Sequence, residues 1–214
     1  MKLAELLEKT EYTVVSGNVD VEVKELQYDS RKVTRGDVFV CISGAVVDGH
    51  DFITDVIAKG AAAVIVERDT QGIETADAVI IRTPDTRLAL AYMSAAFFDY
   101  PAEKLFTIGI TGTKGKTTTT FMVRDILEAC NIKTGLIGTI ETIIGDTHIP
   151  SANTTPESYM VQKYFRDMAD AGCRCVVMEV SSQALMLHRT AGIMFDIGVF
   201  TNLEPDHIGP NEHS

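Results

Sequence analysis

The feature that most constrains the fold is a glycine-bearing turn between a strand-like apolar run and a helix-like run. The strand-like run covers residues 106–110 (FTIGI), and it continues directly into residues 111–117 (TGTKGKT). In strand–turn–helix units of this kind, backbone N–H groups of the turn and of the helix N-terminus point at phosphate oxygens. A lysine in the position of Lys116 reaches the terminal phosphates, and a hydroxyl in the position of Thr117 binds Mg²⁺. The pattern therefore predicts a nucleotide-phosphate site at the carboxyl end of a strand.

The glycine spacing departs from the strict phosphate-loop pattern. That pattern places a glycine five residues before Gly115, where this chain has Ile110. Gly109 lies one residue too early, and Gly112 lies inside the loop. A chance Gly-Lys-Thr sequence is the alternative interpretation, but the flanking strand and helix patterns favour phosphate binding.

The residues after Leu105 alternate regularly between strand and helix patterns. Apolar runs predict further strands over residues 133–138, 173–180 and 196–201. In the helix predicted after the loop, Met122, Ile126 and Cys130 repeat at four-residue spacing and are flanked by Val123 and Leu127. A later helix is predicted to begin with Thr155 as its capping hydroxyl. Near-continuous apolar strands linked by helices are typical of a parallel sheet covered on both faces.

The first 85 or so residues have shorter predicted elements, which do not alternate regularly between strand and helix. Short strands are predicted over residues 11–16, 21–28, 37–43, 62–67 and 78–82, and helices over residues 51–59 and 84–97. The segment 99–102 (DYPA) breaks the second helix. We therefore expect an α/β chain with a small mixed α/β domain over residues 1–99, followed over residues 100–214 by part of a P-loop-type parallel-sheet domain.

Charge and hydropathy exclude several classes of partner. The net charge of −11, from 30 acidic and 19 basic residues, argues against a nucleic-acid backbone as the main partner. No apolar run approaches the roughly 18–20 residues that a membrane span needs. Residues 1–9 (MKLAELLEK) carry charges through their apolar stretch, which favours an amphipathic helix over a signal peptide and predicts a cytoplasmic protein.

The four cysteines do not form paired CxxC motifs. They are Cys41, Cys130, Cys173 and Cys175. We therefore predict buried or half-buried thiols and no cysteine metal site.

Two further polar residues follow predicted strands. Glu179 ends the apolar run 176–179, and His207 follows the strand predicted over residues 196–201. Ligands of open α/β sheets bind at the carboxyl ends of the strands, so both residues are expected beside the glycine-bearing loop. Each is a candidate Mg²⁺-site residue, although an isolated acid at a strand end is more often a solvated cap.

Several separated motifs resemble those of the Mur ligases, the ATP-dependent enzymes that build the peptidoglycan stem peptide. Residues 109–118 (GITGTKGKTT) look like the ATP loop of that family, which commonly carries the Thr-Gly-Thr-x-Gly-Lys-Thr form. Residues 28–32 (YDSRK), 36–40 (GDVFV) and 48–52 (DGHDF) resemble the UDP-binding domain of members that add the third residue or the terminal dipeptide.

Two more motifs favour the member that adds the third residue. They are residues 151–157 (SANTTPE) and residues 179–185 (EVSSQAL), the latter followed by His188 and Arg189. The resemblance implies an ATP- and Mg²⁺-dependent ligase that adds a diamino acid to UDP-MurNAc-L-Ala-D-Glu through an acyl phosphate, without a protein nucleophile.

The resemblance also implies roles for individual residues. The ATP-binding set is Thr111, Gly112, Thr113, Lys114, Gly115, Lys116 and Thr117. The set for the UDP-sugar end is Ser30, Ser43, Gly44 and Ala45. The set for the muramyl-peptide end is Asn153, Thr154, Thr155, Ser181 and Arg189. The catalytic set is Lys116, Glu179 and His207, and the Mg²⁺ set is Thr117, Glu179 and His207.

Members of the resembled family are longer than this chain. The resemblance therefore implies an N-terminal fragment of a ligase with little or no turnover of its own, and an exposed sheet edge that promotes self-association. Two other interpretations remain open at this point. One is a ligase related to folylpolyglutamate synthase, and the other is a nucleotide-binding module without catalysis.

Overall fold

Two separate sheets organise the chain in a computed structural model that describes residues 1–44, 46–69 and 77–205. Each sheet belongs to its own unit, and the division between the units falls between Phe97 and Phe98. Across the described residues, no helix combines the length and the apolar character that crossing a membrane requires.

The first unit has a five-stranded sheet. Its elements are α1 (Leu3–Leu6), β1 (Thr13–Ser16), β2 (Leu26–Gln27), β3 (Val38–Val40), α2 (Ile53–Ala58), β4 (Ala63–Val66), β5 (Val79–Arg82) and α3 (Thr86–Phe97). The strand order is β1-β5-β4-β3-β2, in which β1 runs antiparallel to β5 and the other neighbours are parallel. The strand predicted over residues 21–28 is therefore paired in the sheet only through the two residues of β2.

The core of the first unit lies between its central strands and the helices. Strands β3 and β4 are buried along their whole length, as expected for parallel strands covered on both faces. Helix α2 contributes Ile53 and Val56 to a cluster that also contains Phe39. Helix α3 buries most of its residues, including Leu90 and Met93.

The second unit has a six-stranded sheet. Its elements are β6 (Phe106–Thr111), α4 (Lys116–Ala129), β7 (Thr134–Ile137), β8 (Glu141–Ile144), β9 (Thr147–Pro150), α5 (Ser158–Asp170), β10 (Cys175–Glu179), α6 (Ser182–Met186) and β11 (Ile197–Phe200). The order is β11-β6-β10-β7-β8-β9, and the first four of these strands are parallel. In β10, Glu179 pairs in register with Ile110 of β6, so the carboxyl ends of these two strands lie side by side.

The sheet of the second unit is mixed, because β8 and β9 form an antiparallel hairpin that adds to β7. The strands predicted from the sequence above do not include this hairpin. Its turn is Gly145-Asp146, and Gly145 has a φ of 56°, in the left-handed region that glycine adopts without strain. A two-residue Gly-Asp connection between β-branched runs is a hairpin signal, so the motif was present in the sequence.

The predicted cap of helix α5 is wrong. Helix α5 begins at Ser158, and its N-cap is Glu157, whose carboxylate accepts from the Ser158 N–H. Thr155 lies three residues earlier, and its hydroxyl bonds instead to the main chain at the end of β10. The hydroxyl that the sequence pattern assigns to the helix cap therefore makes a tertiary hydrogen bond to Glu179 instead.

Helix α4 buries one part of the apolar pattern predicted for it and exposes the other. Val123 and Leu127 pack on a cluster of β6 and β10 side chains, whereas Met122 is 59% exposed and Ile126 is 62% exposed. The two stripes are adjacent on the helix and share the same spacing. Thr120, Val123 and Leu127 lie on the same side of the helix, and Thr120 is fully buried. This side of the helix therefore faces the sheet.

The cysteines follow the prediction at three of four positions. Cys41, Cys173 and Cys175 are buried, whereas Cys130 at the end of α4 is exposed. Burial raises the pKa of the Cys175 thiol to about 11, which keeps it protonated at neutral pH.

Candidate functional site

The turn between β6 and α4 has two glycines in the left-handed region, with a φ of 131° at Gly112 and 82° at Gly115. A Cβ on Gly115 would meet no atom within 4 Å, so open space lies above the loop. A Cβ on Gly112 would lie 2.2 Å from Thr201 Oγ1 and 2.9 Å from the Asn202 carbonyl oxygen. The close approach of residues 201 and 202 therefore explains why this loop has a glycine at position 112.

Lys116 lies over its own loop. Its ammonium donates to the Gly112 carbonyl at 2.6 Å and to the Thr113 carbonyl at 3.1 Å. It is also the first residue of α4, whose leading N–H groups have no partners within the helix. The ammonium and the helix N-terminus together make this end of α4 suited to an anion.

Glu179 is fully buried at the end of β10, where hydroxyl and amide donors hold both carboxylate oxygens. Oε2 accepts from the Thr117 hydroxyl at 2.9 Å and lies 3.1 Å from Thr139 Oγ1. Oε1 accepts from the Thr139 N–H at 2.9 Å. These bonds stabilise the carboxylate and fix its direction beside the first turn of α4.

An open cavity of about 340 Å³ lies above these groups. It is lined by Thr113, Gly115, Lys116, Thr117, Thr118, Thr139, Thr154 and Glu179. Thr118 and Thr139 are lining residues outside the predicted site sets. Thr118 directly follows the predicted ATP-binding set, whereas Thr139 is a single threonine after β7 with no motif around it.

The oxygen donors of this cavity fit Mg²⁺. A hydroxyl and a carboxylate lie side by side at Thr117 and Glu179, and Mg²⁺ is usually held by one or two protein oxygens together with water and substrate phosphates. Within residues 1–44, 46–69 and 77–205, no group of three or more His, Cys, Asp or Glu side chains is arranged to hold a metal by itself. The predicted ligand His207 lies outside the described residues.

Three residues predicted for the muramyl-peptide end form a hydrogen-bonded unit. Thr155 is 1% exposed; its hydroxyl donates to the Glu179 carbonyl at 2.8 Å and accepts from the Ser181 N–H at 3.1 Å. Arg189 donates from Nη1 to the Thr155 carbonyl at 3.0 Å. Its Nε lies 3.6 Å from Glu157 Oε2. The Thr155 hydroxyl thus acts inside the protein, where it joins the residues before α5 to the end of β10.

The other two residues of that set lie nearby in the chain and differ in exposure. Asn153 is exposed, and Thr154 is a partly buried lining residue of the cavity. The Ser181 hydroxyl accepts from the Ala184 N–H and caps α6.

The residues predicted for the UDP-sugar end belong to the first unit. The Ser30 carbonyl accepts from Lys59 Nζ at 2.9 Å. Ser43 Oγ donates to Asp48 Oδ1 at 3.3 Å, and the Gly44 N–H donates to the Val47 carbonyl at 2.9 Å. The last two bonds close a turn by joining residues 43–44 to residues 47–48. Ala45 lies outside the described residues.

A network around His50 supports that turn. Its Nδ1 lies 2.7 Å from Asp48 Oδ1, and its Nε2 accepts from the Glu67 N–H at 3.1 Å. Because Nε2 accepts, the proton of the neutral ring is on Nδ1 and is donated to Asp48. The His50 backbone N–H, the His50 ring and Arg68 lower the pKa of Asp48 to about 2.

Comparison with known proteins identifies the family. Residues 110–213 match the Mur ligase middle domain, and residues 22–98 match the catalytic domain of the Mur ligase family. The chain belongs to the Mur ligase family. The motif resemblance described above is thereby confirmed, as is the α/β class with parallel-rich sheets.

A curated Mur ligase relative and two solved structures show the extent of the match. The chain is 49% identical over 208 residues to the UDP-N-acetylmuramoyl-L-alanyl-D-glutamate--2,6-diaminopimelate ligase of Clostridium perfringens (strain 13 / Type A), covering 97% of this chain and 43% of that protein. A structure of a ligase with the same name has a TM-score of 0.75 at 24% identity, covering 99% of this chain and 42% of that one.

The second structure is the MurF ligase of Thermotoga maritima in complex with ADP. Its TM-score is 0.54 at 24% identity, and the match covers 89% of this chain and 40% of that one. Both structures show the Mur ligase fold. The chain spans less than half the length of the curated relative.

Proposed function

We propose that this chain is the ATP- and UDP-sugar-binding part of a ligase that joins a diamino acid to UDP-MurNAc-L-Ala-D-Glu. The observation that carries the proposal is the cavity in which Lys116, Thr117 and Glu179 converge. Its position at the carboxyl ends of β6 and β10 is where open α/β sheets bind nucleotides. The 49% identical relative is named for this reaction with 2,6-diaminopimelate, which is therefore our candidate for the diamino acid.

Residues 111–117 would hold the phosphates of ATP. Lys116 would supply a positive charge beside the terminal phosphates, and the N–H groups at the start of α4 would donate to phosphate oxygens. Thr117 and Glu179, with His207, would hold Mg²⁺, which when bound neutralises phosphate charge during phosphoryl transfer.

The proposed reaction activates a carboxylate. ATP transfers its γ-phosphoryl group to the free carboxylate of UDP-MurNAc-L-Ala-D-Glu, and the amine of the diamino acid then displaces phosphate to form the amide. The protein positions the reactants and supplies charge, and needs no nucleophile of its own. Such a step requires a compartment that contains ATP, so we propose that the protein works in the cytoplasm.

The two ends of the muramyl substrate would be held by different residues. Ser30 and the turn 43–45 would hold the UDP end. Asn153, Thr154, Ser181 and Arg189 would hold the peptide end, while buried Thr155 positions the segment that carries them.

Phosphate release from ATP tests this function. From a longer ligase that contains this chain, we expect release only when UDP-MurNAc-L-Ala-D-Glu and 2,6-diaminopimelate are both present. From this chain alone we expect little or no release, and we expect calorimetry to detect its binding of the muramyl substrate. Release that instead requires a folate and glutamate would favour a folylpolyglutamate synthase relative. A chain that binds neither Mg·ATP nor the muramyl substrate would contradict the proposal.

The edge strand β11 supports a proposal about self-association. It lies at the end of the strand order, with Phe200 63% exposed and Ile197 43% exposed. Exposed apolar edge strands promote pairing with another chain. Sedimentation velocity is expected to show concentration-dependent association that Phe200→Lys weakens, and a chain that stays monomeric at all concentrations would contradict this.

A further inference from the structure

The segment after β11 contacts the glycine-bearing loop through several hydrogen bonds. We call residues 201–204 the strap. The Thr113 hydroxyl accepts from the Glu204 N–H at 2.9 Å, and Lys114 forms a salt bridge with the Glu204 carboxylate. Thr201 Oγ1 lies 2.8 Å from the Lys114 carbonyl oxygen. The strap and the loop are about 90 residues apart in sequence and are joined along most of the length of the strap.

Asn202 is the central residue of the strap. Its Oδ1 accepts from the Lys114 N–H at 2.9 Å, and its Nδ2 donates to the Lys114 carbonyl at 3.1 Å. Its own carbonyl accepts from the Thr113 N–H at 3.0 Å. The Asn202 side chain therefore bonds to both the N–H and the carbonyl of Lys114, in the middle of the loop.

These bonds occupy two of the loop amides. The N–H groups of Thr113 and Lys114 already donate to Asn202, so in this arrangement they are not available to phosphate oxygens. The phosphate-facing role is thus left to N–H groups at the start of α4, where the helix dipole also favours an anion. A loop already held in this shape loses less conformational entropy when an anion binds.

We propose that Asn202 is a positioning residue, which holds the loop in its phosphate-binding shape through the two-way bond between its carboxamide and the Lys114 backbone. The proposal rests on the nucleotide-binding function proposed above. Asparagine suits the position because its side chain has a donor and an acceptor that together match one residue's N–H and C=O. An aspartate there keeps the acceptor for the Lys114 N–H but places a second oxygen against the Lys114 carbonyl.

Amide hydrogen exchange in the protein without nucleotide tests the bond directly. In Asn202→Ala, exchange at the Lys114 N–H is expected to accelerate about tenfold, because that N–H loses its acceptor. Exchange at the Thr113 N–H should change less, since its acceptor is the Asn202 main chain. Asn202→Asp, the milder second variant, should accelerate exchange at Lys114 to an intermediate degree. Unchanged exchange at Lys114 in both variants would overturn the proposal.

Nucleotide affinity gives the functional readout. Calorimetry with Mg·ADP, at a temperature at which both proteins are folded, is expected to show about tenfold weaker binding by Asn202→Ala than by the wild type. Asn18→Ala is the matched control, because Asn18 accepts from the Asp20 N–H in a turn of the first unit. If the wild type binds and Lys116→Ala does not, full affinity in Asn202→Ala overturns the positioning role alone. If the wild type does not bind, the function proposed above fails, and the exchange measurement still decides whether Asn202 holds the loop.

Discussion

The Thr117 hydroxyl donates to Glu179 Oε2 at 2.9 Å, joining two residues that are 62 positions apart in the chain. Thr117 belongs to the first turn of α4, directly after β6, and Glu179 ends the neighbouring strand β10. The pairing of Glu179 with Ile110 brings these two ends together. A hydroxyl and a carboxylate that can share one Mg²⁺ thus follow from strand order and register.

Glu179→Gln is expected to remove the dependence of nucleotide affinity on Mg²⁺. The amide keeps an oxygen for the Thr139 N–H, so the fold should survive, but the negative charge that favours the cation is lost. We expect Mg·ADP binding to weaken by about 10- to 100-fold, in the range seen when a metal site is perturbed. The measurement is ADP affinity across a Mg²⁺ titration, with Glu141→Gln on the hairpin as the control. An unchanged Mg²⁺ dependence in Glu179→Gln would show that the carboxylate does not serve the metal.

Gly112→Ala and Gly115→Ala form a matched pair that separates crowding from backbone strain. Both positions have a positive φ, which favours glycine over residues with a side chain. A Cβ at position 112 would also collide with Thr201 and Asn202, whereas a Cβ at position 115 enters open space. Denaturant unfolding is therefore expected to show a larger loss of stability for Gly112→Ala. Equal losses would mean that the approach of the strap does not constrain the loop.

The parts of the site that are predictable from sequence are those carried by local motifs. Lys116 and Thr117 belong to one contiguous loop, and Glu179 ends an apolar run, so strand topology alone brings them to one edge. Thr139 was not predictable, because its contact with Glu179 depends on the path of the chain after β7. The bonds of Asn202 to Lys114 were not predictable for the same reason, since they join distant segments and leave no local pattern.

The errors in the fold also have physical causes. The pairs Met122/Ile126 and Val123/Leu127 have the same helical spacing, so periodicity cannot tell which pair faces the sheet. Hydroxyls are equally ambiguous, because Thr155 beside Pro156 has the pattern of a helix cap while its actual partner is the Glu179 carbonyl. Both outcomes are decided by tertiary packing.

Thr155→Val tests the internal role of that hydroxyl. Valine has nearly the same shape but leaves the Glu179 carbonyl without a donor and the Ser181 N–H without an acceptor. Leaving such groups unsatisfied costs about 1–3 kcal/mol of unfolding free energy. Denaturant unfolding measures this cost, and Thr155→Ser, which restores the hydroxyl, should recover most of it. A valine variant as stable as the wild type would refute the structural role.

Because folding lowers the pKa of Asp48, we expect the first unit to lose stability at acid pH. Hydrogen bonds from the His50 backbone and ring, together with Arg68, lower its pKa from 3.8 to about 2. A carboxyl whose pKa is lowered by folding stabilises the protein fully above its unfolded pKa, and this contribution disappears as the pH falls through the folded pKa. The stability advantage of wild type over Asp48→Asn should therefore be full above about pH 4.

Thermal unfolding from pH 2 to 6 measures this advantage. The wild-type and Asp48→Asn midpoints are expected to differ most near pH 6 and to converge as the pH falls toward 2. A difference that stays constant across the range would contradict the role of the His50 network in setting that pKa.

Binding of Mg·ATP by the wild type and by Lys116→Ala tests the central claim most directly. Lys116 Nζ lies against the loop, where it donates to the Gly112 carbonyl. Charge-assisted hydrogen bonds of the kind it would make to phosphate contribute about 1.5–3 kcal/mol. Calorimetry is therefore expected to show saturable one-site binding by the wild type and at least about tenfold weaker binding by Lys116→Ala, with Lys163→Ala on α5 as the control. Equal affinity in wild type and Lys116→Ala, or no binding by the wild type, would contradict the assignment of this loop as the ATP site.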